Sequence, residues 1–265
     1  MSDLTQVPFG VSVYQLSSMQ LAFAGQADAV VDSALNAGFR GIDTSSFYRL
    51  SDSETPTGLQ WVRDALTRHP NAQVTLKVGL VWVDGVPLLD ATASALRDEI
   101  HMALDVLGGP VHTLLLHALD PSVPVDQSLS ALMDARSQGL ATQVGVCNVP
   151  PSLVEQVTAL PVDVLQYRLS WFDRQALRAG LAEQLVESPC QFSGFDAASA
   201  TPTGWRSDTD PDLIRLSFEH DCTPRQAALA WAAAQCTGPY VICPQSSADI
   251  EDLVQAERLR GVSWP

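Results

Sequence analysis

Four side chains able to move protons or hold charge stand at or just beyond the ends of successive apolar, β-branched runs: Asp43, Tyr48, Lys77 and His117. Lys77 is the single lysine among fifteen Lys plus Arg residues, and it lies inside the apolar run Gln73-Val-Thr-Leu-Lys-Val-Gly-Leu80. Arginine is a fixed charge, whereas a lysine amine responds to burial and can tune the acidity of a neighbour. A phenol, with a pKa near ~10, is a weak acid at neutral pH. An adjacent ammonium favours the phenolate and brings the group closer to useful general acid or base strength. Asp43 would pair with Lys77 and keep it charged and oriented. His117, after three leucines, could donate to a substrate carbonyl oxygen and fix it beside the phenol. Together they describe a site that protonates an oxygen as electrons arrive at carbon, which is carbonyl reduction or its reverse. No side chain is a hydride source, so a nicotinamide cofactor is implied. Singly, each residue has an ordinary explanation: lysine depletion by codon bias, a turn aspartate, a surface tyrosine, a satisfied core histidine. Their convergence on one end of one fold has none.

The elements that must position them alternate regularly. Strands are expected at Phe9–Val13, Gly41–Thr44, Val74–Leu80, Thr113–His117, Thr142–Cys147, Val164–Tyr167, Cys190–Phe195 and Tyr240–Cys243. Helices are expected at Gln26–Ala37, Glu54–Arg68, Ala91–Leu107, Asp126–Gln138, Pro151–Ala159, Arg174–Glu187, Asp210–Ala234 (as two) and Ala248–Glu257. Asp126 and Ser152 read as helix starts, and Thr223-Pro224 as a cap followed by an N1 proline. Alternation without antiparallel hairpin spacing implies parallel strands and right-handed crossovers. Eight such units in 265 residues predict an α/β fold, a (β/α)8 TIM barrel forming a single domain over 1–265, with its site at the C-terminal strand ends. No Gly-x-Gly-x-x-Gly follows a strand, which argues against a doubly wound sheet. The stretch Ser193–Asp210 reads as a long loop on the active face.

Composition narrows the class. Hydrophobic content is 46% and charged content 17%, as in a well-buried globular enzyme. The net charge of −15 opposes binding to nucleic acid or to an anionic membrane. The N-terminus has no basic start and no long apolar core, and no stretch approaches a bilayer span, so a cytoplasmic protein is expected. The five cysteines are odd in number, widely spaced and without a Cys-x-x-Cys pair. That pattern predicts reduced thiols, with no disulfide framework and no metal site.

The order of motifs resembles the aldo-keto reductase family along nearly the whole chain, most closely its sugar and pyridoxal dehydrogenase branch. Gly38-Phe-Arg-Gly-Ile-Asp-Thr-Ser-Ser-Phe-Tyr48 is similar to Gly-x-Arg-x-Ile-Asp-Thr-Ala-x-x-Tyr, and Ser53-Glu54 with Gly58 to Ser-Glu-x-x-x-Gly. Val111–Asp120, Gly139–Asn148, Val164–Ser170, Thr223–Trp231 and Tyr240–Pro244 resemble the later family segments. The resemblance implies an NAD(P)-dependent reductase or alcohol dehydrogenase, using NADPH or NADH, with Asp43, Tyr48, Lys77 and His117 as its tetrad and Tyr48 as proton donor. It further implies that Asn148 and Gln166 hold the nicotinamide carboxamide and that Phe195 stacks on the ring. Gln245 and Ser246 would meet the adenosine phosphate, and Tyr14 would line the substrate pocket. Phe47 and Trp82 also fall near the mouth and suit a moderately hydrophobic substrate; Trp82 and Trp171 equally suit packing. Two departures stand out. Cys147 replaces a serine beside Asn148, and Asp249, Glu251 and Asp252 are placed to repel a 2′-phosphate. The alternative function is a cofactor-independent lyase, dehydratase or isomerase on the same scaffold. The expected partner is a small carbonyl or alcohol substrate, and the expected assembly a monomer or simple dimer.

Overall fold

The computed structural model describes residues 9–14, 16, 24–49, 56–185, 188–196, 207–259 and 261–265. Eight parallel strands close into a barrel in the order β1-β10-β9-β8-β7-β6-β3-β2. They are β1 (Phe9–Ser12), β2 (Gly41–Ser45), β3 (Gln73–Val78), β6 (Val111–Leu116), β7 (Ala141–Cys147), β8 (Val164–Arg168), β9 (Gln191–Asp196) and β10 (Tyr240–Ile242). All eight expected strands are present, with ends shifted by a residue or two. The helices that return the chain are α1 (Ala24–Asn36), α2 (Thr57–Arg68), α3 (Ala93–Leu107), α4 (Val125–Ser137), α5 (Val154–Thr158), α6 (Gln175–Arg178), α7 (Leu181–Leu185), α8 (Pro211–Glu219), α9 (Pro224–Ala234) and α10 (Ser247–Glu257).

Alternation along each strand divides two environments. Leu76 and Val78 of β3, Leu114 and Leu116 of β6, and Val144 and Val146 of β7 face outward and are buried with Leu96 and Ile100 of α3 and Leu129 and Leu132 of α4. The opposite face lines the bore, where Leu115, Cys147 and Val164 form a separate small apolar cluster. Register places Asp43 beside Thr75, and Lys77 beside Ser45 and Leu115. The polar residues of β2, β3 and β6 thus approach one another at the C-terminal end.

Local chemistry explains most boundaries. Thr223 and Gln226 form a reciprocal capping box before Pro224 of α9. Asp210 caps α8 by accepting from the amides of Asp212 and Leu213. Left-handed Gly108 (φ 84°) stops α3.

Five expectations are corrected. The run Val74–Leu80 is not one strand. β3 ends at Val78, Gly79 turns with φ 91°, and Leu80–Val83 (β4) pairs antiparallel with Val86–Leu89 (β5). A hairpin therefore exists where none was expected. Its cause is Asp84-Gly85, with φ 51° and 75°, a pair suited to a two-residue hairpin turn. Pro151–Ala159 splits into a 3-10 turn (Pro151–Leu153) and α5. Arg174–Glu187 splits into α6 and α7 at Gly180, whose φ is 70°. Ser193–Asp196 belong to β9 instead of a loop. Asp126 lies in the first turn of α4 and not at its cap, because α4 begins at Val125 after Pro124. The Ser53-Glu54 pair and the Ala197–Gly204 segment lie outside the described residues.

Candidate active site at the C-terminal end of the barrel

Lys77 and Asp43 are 3% and 1% exposed, and Lys77 Nζ lies 3.0 Å from Asp43 Oδ2. Among the described residues, no other hydrogen bond reaches this carboxylate. The two strands that carry the pair are adjacent and parallel, so the ion pair is a direct product of register. Above it is a cavity of about 230 Å3 lined by Ser12, Tyr14, Phe47, Tyr48, Lys77, Leu80, His117, Phe195, Val241 and Cys243. The tetrad thus converges, with Asp43 behind Lys77 and the other three on the wall. A larger cavity, about 610 Å3, opens at the opposite end, among strand starts such as Gln73, His112 and Gln191. That end of such barrels serves stability, and of the four titratable residues only Asp43 lines this cavity, from inside the bore.

Aromatic rings build the walls. Tyr14 and Tyr48 lie 5.1 Å apart between centroids, and Tyr48 meets His117 edge-on at 5.9 Å. Phe195 faces Lys77, whose Nζ is 5.0 Å from its ring centre. Trp82, expected at the substrate, stands one layer back. It stacks on Phe47 at 4.6 Å and 2°, and its indole N–H donates to Phe47 O at 3.0 Å. The hairpin that carries Trp82 therefore braces the wall formed by Phe47. Trp171 packs on Trp231, away from the site.

Burial and charge set the protonation states. Burial works against the Lys77 ammonium, but Asp43, Tyr48 and Cys147 outweigh it and hold Lys77 above the ordinary lysine value. Burial drives the Tyr48 phenol well above its usual value, and the Lys77 charge opposes this without cancelling it. The expectation that the amine makes the phenol a stronger acid than usual holds in sign for that one interaction, while desolvation wins the sum. Burial, then Lys77, pushes His117 down to about 3, so its imidazole is neutral.

Two residues that sequence reasoning passed over organise the loop after β2. Ser45 Oγ donates to Lys77 O at 2.8 Å, accepts from Phe47 N at 3.2 Å and lies 3.4 Å from His117 Nδ1. Glu99, buried on α3, accepts from Ser46 Oγ and, at 2.8 Å, from Gly79 N–H. It ties the exits of β2 and β3 together. Its signal was legible: a carboxylate in the otherwise apolar stripe Leu96-Glu99-Ile100-Ala103.

The remaining expected residues are dispersed. Asn148 is exposed, with φ 51°, and its Oδ1 accepts from Arg168 N–H at 3.0 Å. Gln166 is buried inside the barrel, with Oε1 3.5 Å from Cys147 Sγ. Neither lines the tetrad's cavity. Gln245 and Ser246 direct their amides to Asp249 Oδ2 at 2.8 and 2.9 Å, closing the start of α10. Arg225 binds Asp249 and, at 2.8 Å, Asp252. Burial acts to raise Asp249, but Arg225 and those amides hold it below the usual carboxylate range.

This architecture and constellation meet a sequence match: the profile of the Aldo/keto reductase family covers residues 19–188. The chain belongs to the aldo/keto reductase family. Its activity is nicotinamide-dependent carbonyl reduction, or oxidation of the corresponding alcohol. Among relatives of this reductase, methylglyoxal reductase DkgB of Escherichia coli O157:H7 is 25% identical over 270 residues, covering 95% of this chain and 87% of that one. Among solved structures, the glycerol dehydrogenase AKR11B4 from Gluconobacter oxydans aligns at a TM-score of 0.79 with 18% identity, over 98% of this chain and 87% of that one. An aldo-keto reductase from Klebsiella pneumoniae in complex with NADPH aligns at 0.77 with 16% identity, over 98% and 87%. Among the described residues, no helix of this reductase is long and apolar enough to cross a membrane.

Proposed function

We propose that this reductase acts on a small aldehyde or ketone, or on the corresponding alcohol, with Tyr48 as general acid and base. The observation that carries the reading is the desolvated Asp43–Lys77 pair directly behind a cavity shared by Tyr48 and His117. A bound nicotinamide nucleotide supplies or takes up the hydride. Tyr48 hands its phenolic proton to the carbonyl oxygen in reduction and takes it back in oxidation. Lys77 lies close enough to stabilise the phenolate left behind, and Asp43 keeps that ammonium charged in a site with little water. The neutral imidazole of His117 borders the reacting carbon and is a hydrogen-bonding group in place of a charge. Tyr14, Phe47 and Leu80 give the cavity an apolar wall, with Trp82 supporting it from behind. Its volume suits a compact substrate, in keeping with the small oxo-aldehyde in the name of the Escherichia coli relative. No observation favours a lyase, dehydratase or isomerase.

The residues fit a nicotinamide. Phe195 presents a half-buried ring beside Lys77, and Asn148 carries an exposed amide just past the end of β7, whereas Gln166 is buried within the bore and reaches the cavity at the other end. The adenosine end fits less well with a 2′-phosphate. The amides of Gln245 and Ser246, the natural anion donors at a helix start, already serve Asp249. NADH is therefore expected to bind at least as tightly as NADPH. Asp249→Asn should raise NADPH affinity about tenfold, the scale of one charge-assisted hydrogen bond, with little change for NADH. Fluorescence titration decides this; a wild-type protein that prefers NADPH strongly would contradict it.

The direct test of the reading is nucleotide consumption with a panel of short aldehydes. Its pH dependence is a second one. Tyr48 stays a phenol and His117 (about 3) stays neutral through the neutral range. The reductive kcat should then be flat from about pH 5 to 9, while alcohol oxidation rises with pH because it needs the phenolate. A reductive inflection near ~6.5, the ordinary histidine value, would show that His117 titrates. The charge of −15 fits a cytoplasmic enzyme without nucleic-acid or membrane partners, and we take it to act as a monomer or simple dimer.

A further inference from the structure

Glu99 is a buried carboxylate to which the chemistry described above gives no task. It shares the inner stripe of α3 with Leu96, Ile100 and Ala103, which are packed into the core around the barrel. Thr92 caps the same helix by accepting from Ala95 N–H. The helix is therefore a fixed post. Taking an ionisable side chain out of water on such a face is unfavourable unless its oxygens are engaged. Both are: Oε2 accepts from Gly79 N–H at 2.8 Å, and Oε1 accepts from Ser46 Oγ. The two donors stand symmetrically about the reacting pair. Gly79 is two residues after Lys77 on the exit of β3, and Ser46 is two residues before Tyr48 on the exit of β2. The ladder between these strands ends at Ser45 and Lys77. Past that point, among the described residues, the side-chain links between the exits are Trp82 Nε1 to Phe47 O and the Glu99 bridge. Gly79 itself is tightly held, since a Cβ there would stand 2.8 Å from Leu116 Cδ1, and its carbonyl accepts from Asp90 N–H at 3.2 Å. The turn that carries the phenol is short, with Tyr48 N–H donating to Ser45 O at 3.1 Å. A displacement at Ser46 is passed directly to Tyr48.

We propose that Glu99 is a positioning residue for proton transfer: by pinning the exits of β2 and β3 to one point on α3, it sets the separation between the Tyr48 hydroxyl and the Lys77 ammonium. The inference rests on the reading of Tyr48 as general acid and base. The attraction between an ammonium and the phenolate it stabilises falls with distance. A misplacement of about 1 Å at a reacting group can cost on the order of a hundredfold in rate. The role requires two hydrogen bonds at a fixed place and not the negative charge. Glutamine can span the same gap, because its carbonyl oxygen accepts from Gly79 N–H and its NH2 group donates to Ser46 Oγ. Leucine can make neither bond.

Three variants and one control separate positioning from folding, with rates measured well below each protein's unfolding temperature. Glu99→Leu should lower the kcat of aldehyde reduction about tenfold to a hundredfold with nucleotide affinity unchanged. Its solvent deuterium isotope effect should grow, because a misplaced phenol slows the proton. Glu99→Gln should stay within a few-fold of wild type. Ser46→Ala cuts only the β2 side, at a half-buried position. It should show a smaller loss of the same kind, and no further loss when added to Glu99→Leu. The control is Leu132→Ala, a core truncation on α4, which should lower the unfolding temperature and leave kcat and the isotope effect alone. A Glu99→Leu protein that behaves like the control overturns the proposal. So does Glu99→Gln as slow as Glu99→Leu, which would make the charge and not the bridge the active feature. If Glu99→Leu does not fold, Ser46→Ala carries the test, and a wild-type kcat and isotope effect there overturn the proposal. A wild type that turns over short aldehydes beside an indifferent Glu99→Leu removes this inference alone. A wild type that consumes neither NADH nor NADPH with them removes the acid–base reading and this inference with it.

Discussion

Tyr48→Phe should lower turnover about 10²- to 10⁴-fold, the usual contribution of a positioned proton donor, while leaving the fold and nucleotide affinity in place. The ring makes edge and tilted contacts with His117 and Tyr14 that phenylalanine reproduces. Only the hydroxyl is lost, and with it the proton that must reach the carbonyl oxygen. Because the wild-type phenol is held above its usual value, it is fully protonated at neutral pH, so the variant lacks a group that was always ready in the reductive direction. The loss should fall on kcat and kcat/KM together, because the interaction matters most in the transition state. Steady-state kinetics with a short aldehyde, beside a nucleotide titration of the same variant, measures both. Turnover within a few-fold of wild type would mean that another group protonates the oxygen, and the assignment of Tyr48 would be lost.

The tetrad was legible for a physical reason. Parallel strands of a barrel present their last residues to one space, so Asp43, Lys77 and His117 could be placed together from strand ends alone. The barrel was legible for the same reason, since each β-branched run is followed by a helical pattern long enough to return the chain. What escaped depends on single backbone angles or on contacts between distant segments. Gly79 looks like part of an apolar strand until its φ of 91° is seen to end it. Asp84-Gly85 carried a hairpin signal that the strand–helix rhythm around it obscured, and the role of Trp82 behind Phe47 follows from that hairpin. Asp249 was read as a charge placed to repel a 2′-phosphate. Its carboxylate instead folds onto the start of its own helix and meets Arg225 from the preceding one. Ser45 differs from alanine by one oxygen, and the meaning of that oxygen requires three partners from three segments.

Lys77→Met should both destabilise the protein and abolish efficient turnover, and the two effects should separate on a second substitution. Removing the ammonium leaves Asp43, 1% exposed and without another hydrogen-bond partner among the described residues, as an uncompensated buried charge. Breaking such a pair from one side costs about 3–5 kcal/mol, a large share of a typical domain's stability. Methionine is of similar length, so the loss reflects charge and not volume. Adding Asp43→Asn removes the stranded carboxylate, and the double variant should recover most of the stability, since neutral replacement of a whole buried pair is often nearly free. Turnover should not return. Without the ammonium nothing opposes the burial that holds the phenol proton, and alcohol oxidation, which needs the phenolate, should suffer more than reduction. Denaturant unfolding of the wild type, both single variants and the double variant closes a thermodynamic cycle, and rates in the two directions complete it. A Lys77→Met protein as stable as wild type would show that water reaches Asp43, and a double variant with restored turnover would show that the pair serves the fold and not the chemistry.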